Sequence, residues 1–206
     1  MMEYRIAKKI DIPSCASLYI DGFRQQLHSI FGKNICENLF VDFLSFVSRV
    51  EKDGFIVACE NNNVVGFSIM TKNPVKFFLK ISLLSFFPCI WGMLSGRYRG
   101  INIYKGLSSF FDFLKFFNVS KKAGKKYKKA GQVITMVVSE NMRGQGIGGK
   151  LLNAGIEYLK KHTSTVKLEV RADNAPAIHL YKKNGFFELG RVKSKVGTSI
   201  IMIKNL

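Results

Sequence analysis

Acidic residues are scarce in this chain: 14 Asp and Glu stand against 32 Lys and Arg in 206 residues, a formal net charge of +18. That imbalance predicts attraction to something anionic, whether nucleic acid, an acidic membrane surface or a phosphorylated ligand. Cysteine is sparse and poorly spaced. Cys15, Cys36, Cys59 and Cys89 form no C-x-x-C pair, and His28, His162 and His179 do not cluster with them. We therefore expect no metal site, no disulfide framework and a reducing, cytosolic setting. The opening residues, MMEYRIAKKIDIPS, lack an apolar core and a small-residue cleavage site, so no signal peptide is expected. No internal repeat occurs. The length suits one well-buried domain, residues 1–206.

Local patterns fill in the elements. EYRIAKKID reads as a strand leading to a helix from about Ser14, an N-cap candidate ahead of Leu18, Phe23 and Leu27. ENLFVDFLSFVSRVEKD places Leu39, Phe40, Phe43, Leu44, Val47 and Val50 on one helical face that ends at Gly54. Two β-rich runs flank ENNN, where Asn tolerates positive φ, so an antiparallel hairpin is expected. Later, QVITMVV and VKLEV read as strands, GGKLLNAGIEYLKKH and APAIHLYKKNG as helices, and TSIIMI as a final strand.

Residues 74–130 interrupt this order. They hold twelve Lys or Arg against one acid, Asp112, and thirteen of the 26 aromatic residues. FFLKISLLSFFPCIWGML is apolar on all sides, yet Lys80 and Pro88 make it a poor membrane span. Leu107, Phe110, Phe111, Leu114 and Phe117 lie on one arc of a helix that runs into the basic tract KKAGKKYKK. Residues 75–129 thus read as a basic amphipathic helical insertion. Three uses stay open: a membrane-surface element, a substrate lid or homodimer interface, and RNA binding, which the continuous apolar run disfavours.

The glycine run GQGIGGK, residues 144–150, fits three phosphate patterns. A P-loop needs Ser or Thr after Lys150, where Leu151 stands. A dinucleotide turn must follow its strand directly within parallel βαβ units, but SENMR intervenes and the lead-in is antiparallel. What remains is R-x-x-G-x-G from Arg143, with glycines that let N–H groups at a helix start approach a pyrophosphate. The stretch VVSENMRGQGIGGKLLNAGIEYLKK, followed by KLEVRADNAPAIHLYKKNGF, resembles the acetyl-CoA-binding core of the GNAT superfamily of N-acetyltransferases. Within it the similarity is greatest to ribosomal-protein alanine N-acetyltransferases. The likeness is close over about residues 131–206 and holds in element order only over 1–73.

The resemblance implies an α/β (α+β) GNAT fold: a mixed, mostly antiparallel sheet flanked by helices, with the insertion between its third and fourth strands. It implies acetyl-CoA as co-substrate and no metal. Backbone groups of Met136, Val137 and Val138 would meet the pantetheine arm. Arg143, Gly144, Gln145, Gly146, Ile147, Gly148 and Gly149 would hold the pyrophosphate, and Asn174 would contact the coenzyme. Tyr181 matches the family's general acid as well as a coenzyme contact, and Glu169 the general base of the alanine acetyltransferases. Each has a plainer reading: Tyr181 a core aromatic, Glu169 a solvent-facing strand residue, Asn174 a helix cap, His179 a surface residue. The acceptor expected is a primary amine on a small molecule, with an amino sugar used in surface-polysaccharide synthesis at the inner membrane face as the leading case. A peptide or protein N-terminus and an inactive membrane- or protein-binding adaptor are the alternatives.

Overall fold

The structure, a computed structural model, describes residues 1–32, 35–98, 127, 129–194 and 197–206. Its elements in chain order are β1 (Met2–Ile6), α1 (Ile12–Gly22), α2 (Arg24–Phe31), α3 (Glu37–Val50), β2 (Phe55–Glu60), β3 (Asn63–Thr71), α4 (Pro74–Leu94), β4 (Gly131–Val138), α5 (Ile147–Lys160), β5 (Thr165–Arg171), α6 (Ala175–Lys183), β6 (Phe187–Ser194) and β7 (Gly197–Asn205). The strands form one seven-stranded sheet in the order β1-β2-β3-β4-β5-β7-β6. Every neighbouring pair is antiparallel except β4 with β5, which is parallel. The expected mixed, mostly antiparallel α/β fold is what the chain adopts.

Strand alternation divides the core in two. On one face Phe55, Val57, Phe67, Ile69 and Val137 pack with α1, α3 and α4 through Cys15, Leu44, Val47 and Phe77. On the other, α5 lies across the sheet and buries Leu151, Leu152, Ile156 and Leu159 against Ile56, Ala58, Val133 and Leu168. Gly155 allows that seat, because a Cβ there would lie 2.3 Å from the Met70 sulfur. A buried polar link joins the two sides: the Thr71 hydroxyl donates to Glu51 Oε2 at 2.6 Å, and the Tyr158 hydroxyl donates to the other carboxylate oxygen.

Several boundaries depart from the sequence expectation. The first helix starts at Ile12 with Pro13 in its opening turn, so Ser14 is inside it and caps nothing. It ends before Phe23, and Leu27 belongs to α2. The Asn-rich hairpin is present, with Asn61 and Asn62 at φ 48° and 67°. No sequence pattern announces the strand β6. FELGRVKS mixes charge with Gly190 because it is an edge strand, paired only with β7. The apolar stretch forms one helix, α4, capped by Asn73, whose side chain accepts the Lys76 N–H at 3.0 Å. By length and composition alone α4 could cross a membrane. The arc Leu107–Phe117 and nearly all of the lysine tract lie outside the described residues.

Candidate active site

The sheet is parted at its one parallel pair. β4 and β5 are joined only through Gly131–Val166, Gln132–Lys167 and Val133–Leu168, although β4 continues to Val138 and β5 to Arg171. The cause lies on the other side of β4. Ile69 pairs with Thr135 but Met70 with Val133, so Ile134 is an extra residue, a bulge that bends β4 where the ladder to β5 stops. Beyond the bulge, the β5-side edge of β4 has no strand partner among the described residues. The Ser139 N–H donates to Val65 at 2.8 Å, which fixes the alternation of the ladder. Val137 turns its amide and carbonyl toward β3, whereas Met136 and Val138 turn theirs toward the opening.

The glycine loop stands at the end of that edge. Gly144 and Gly146 have φ of 80° and 78°, and a Cβ at either would meet nothing within 4 Å. They are required for backbone conformation rather than for space. Gly146 is the N-cap of α5 and supplies no side-chain cap, so the first-turn amides of Ile147, Gly148 and Gly149 point outward without an intrahelical acceptor. Ile147 is buried and anchors this turn. Gly148 serves packing instead. Its Cβ would lie 3.3 Å from Leu180, so its absence lets α6 pack on the start of α5. Arg143 and Gln145 are exposed beside the loop; Arg143 Nε donates to the Val138 carbonyl at 3.3 Å, and the Gln145 amide reaches the Met142 sulfur at 3.8 Å. Lys150 leans the other way, 5.8 Å from the centre of the Tyr4 ring.

Asn174 caps α6: its side-chain oxygen accepts the Ala177 N–H at 3.2 Å. Tyr181 follows Leu180 on the same helix and sinks among Val133, Leu168 and Val170, with its ring 5.8 Å from that of Phe186. It is 8% exposed, and its hydroxyl has no hydrogen-bond partner among the described residues. Burial pushes its pKa up to about 12, so the phenol keeps its proton across the neutral range. Glu169 is the first β5 residue past the last β4 pair, at the mouth of the opening. Burial raises its carboxyl above the ordinary range, and the Lys167 ammonium two residues away opposes that rise. Lys167 was not singled out from sequence, although its parity with Glu169 in VKLEV puts both on one face. Tyr181 sits on the α5 side of the sheet and Glu169 on the other. His28, His162 and His179 are exposed.

An uncapped helix start, two left-handed glycines and an unpaired strand edge offer N–H donors and acceptors on successive segments of the chain. That set fits a phosphate-bearing, amide-rich chain such as that of acetyl-CoA. Among the described residues no group of His, Cys, Asp and Glu is placed to hold a metal. A groove of about 630 Å³ lined by Tyr4, Arg5, Asp53, Tyr158 and Lys161 lies beside β1 and β2 and includes no residue of the glycine loop.

Residues 109–186 match the model of the Acetyltransferase (GNAT) family. Over 63 residues it is 46% identical to an N-alpha-acetyltransferase of Sulfurisphaera tokodaii, covering 30% of this chain and 38% of that protein. Over 57 residues it is 42% identical to a mycothiol acetyltransferase of Corynebacterium aurimucosum, covering 27% of this chain and 19% of that one. The chain therefore spans well under half the length of these relatives. The crystal structure of a ribosomal-protein-alanine N-acetyltransferase from Brucella melitensis superposes with a TM-score of 0.60 at 21% identity, covering 99% of both chains, which establishes the shared fold.

Proposed function

We propose that this protein is an acetyl-CoA-dependent N-acetyltransferase acting on the primary amine of a small molecule. The observation that carries the reading is the meeting of three features: the uncapped glycine start of α5, the parted β4–β5 pair and the protonated Tyr181. Acetyl-CoA, when bound, supplies an activated acyl thioester. Amides of residues 147–149 and the Arg143 guanidinium are the donors for its pyrophosphate, and the backbone of Met136 and Val138 is the ladder for its amide-bearing arm. Val137 contributes packing on the α1 side. Asn174 spends its oxygen on the helix cap and offers its amide nitrogen. Tyr181 is the proton donor for the departing thiolate, and Glu169 removes the proton from the attacking amine, directly or through water.

The net charge of +18 favours an acceptor that carries phosphate, such as an amino sugar on a nucleotide or lipid carrier, met at the inner membrane face in surface-polysaccharide synthesis. Residues 1–206 act as one unit in this reading, with 75–129 as the insertion that serves the acceptor side. A second reading, N-terminal acetylation of a peptide or protein, is favoured by the 46% identity over 63 residues to an N-alpha-acetyltransferase.

Free-thiol release, measured with acetyl-CoA and a panel of nucleotide-linked amino sugars, free amino sugars and N-terminal peptides, separates these readings. The amino sugars should turn over with the higher kcat/KM; peptides alone turning over would establish the second reading. Failure of millimolar acetyl-CoA to raise the melting temperature would instead indicate an inactive adaptor.

A further inference from the structure

The helix α4 is apolar on two opposite sides, and the described residues of the domain cover only one of them. Pro74, Phe77, Phe78, Ile81, Ser85 and Gly92 form a stripe along α4 that faces the domain and is buried. On the opposite side Leu79, Leu83, Phe87, Trp91 and Leu94 are 59%, 68%, 75%, 72% and 68% exposed, and Lys76 and Lys80 project from the same side. A helix that is hydrophobic all round is ordinarily enclosed. Here an apolar strip running most of the helix length is exposed among the described residues, far more than scattered surface hydrophobics require.

We propose that this outer face of α4 docks on an anionic lipid bilayer, with the helix lying in the headgroup region rather than crossing it. Both ends of α4 are tied to the domain. Asn73 caps one end next to Thr71 of β3, and beyond the other end Arg97 makes a paired contact with Asp42 of α3, both distances 2.9 Å, joined by the Tyr98 hydroxyl at 3.0 Å. The buried stripe would have to be torn from α3 for the helix to span. A helix so held can only lie flat, with Trp91 at the interface and the lysine stems reaching the headgroups.

Charge chooses the occupant. Between Glu60 and Asp112 the sequence contains no acid and six basic residues, Lys72, Lys76, Lys80, Arg97, Arg99 and Lys105. A second copy brought against this face would carry the same +18 and be repelled, whereas phosphatidylglycerol-type headgroups are attracted. The inference deepens the membrane-face reading above and is independent of acetyl transfer.

Trp91 is the only tryptophan of the chain and is its own probe. With vesicles of phosphatidylcholine and phosphatidylglycerol in equal parts, its emission should shift to the blue and be quenched by brominated acyl chains; phosphatidylcholine alone should give a much weaker response. Replacing Leu83 and Phe87 by Gln, both exposed, should abolish the shift while the acetyl-CoA-induced rise in melting temperature is kept. Lys76→Gln and Lys80→Gln should each weaken binding roughly fivefold at low salt. No blue shift from protein that still responds to acetyl-CoA overturns the proposal. So does a lipid-free shift that grows with protein concentration alongside dimer formation, an equal response to single-stranded RNA, or resistance to extraction by high salt and carbonate, which marks a spanning helix. Vesicle binding without any acetyl-CoA response would leave the docking face standing and sink the acetyltransferase reading.

Discussion

Tyr181→Phe should make the protein more stable and far less active. The Tyr181 hydroxyl is carried into a cluster of Val133, Leu168, Val170 and Phe186, yet nothing among the described residues receives its hydrogen bond. A buried hydroxyl without a partner costs about 1–3 kcal/mol. The fully enclosed orphan atoms among the described residues are Gln132 Oε1 and Thr135 Oγ1, so the tyrosine oxygen keeps some contact with solvent and the lower end applies. Removing it is expected to yield about 1 kcal/mol, a rise of roughly 2–4 °C in melting temperature for a chain of this size. Loss of a positioned proton donor lowers kcat by about 10²–10⁴-fold. Scanning calorimetry on the ligand-free protein and thiol release under saturating acetyl-CoA measure the two effects. Affinity for acetyl-CoA, by titration calorimetry, should change little. An unchanged kcat would show that Tyr181 is a core aromatic and nothing more. A fall in melting temperature would refute the premise that the hydroxyl is unpartnered.

Gly146→Ala meets no steric obstacle at φ 78° and tests conformation alone. Forcing alanine into the left-handed region costs about 1–2 kcal/mol, and acetyl-CoA affinity by titration calorimetry should fall about five- to thirtyfold as the loop relaxes. Glu169 must be ionised to accept a proton, so the acid limb of kcat/KM should lie above the ordinary carboxyl range. Lys167→Met removes the cation that opposes this rise and should move the limb to still higher pH; a shift to lower pH would refute the base role. The sign for stability is opposite to that of a paired carboxylate. Because the folded pKa of Glu169 is raised, its contribution to stability is greatest at low pH and is lost as pH rises through the folded value. Glu169→Gln should flatten both the acid limb and that loss.

The sequence determined most of the elements, because local chemistry decides them. Asn61 and Asn62 could form their turn only as a tight hairpin, the apolar spacing of Phe40, Leu44 and Val47 could be buried only by a helix, and Gly144 and Gly146 carry φ values that other residues adopt at a cost. Arg143, Gly146, Asn174, Tyr181 and Glu169 could be named as a set only through the family resemblance, which rests on a compact glycine-centred motif. What no local pattern contained is the opening between β4 and β5. It depends on Ile134 being one residue too many against β3, a register property of two strands that are distant in sequence. The same register sets Met136 and Val138 toward the opening and Val137 away from it. Tertiary packing alone placed Tyr181 and Glu169 on opposite faces of the sheet, assigned Gly148 to the approach of Leu180, and left one side of α4 exposed among the described residues. Composition showed that α4 is apolar all round; only the position of α3 decided which half of it the domain could bury.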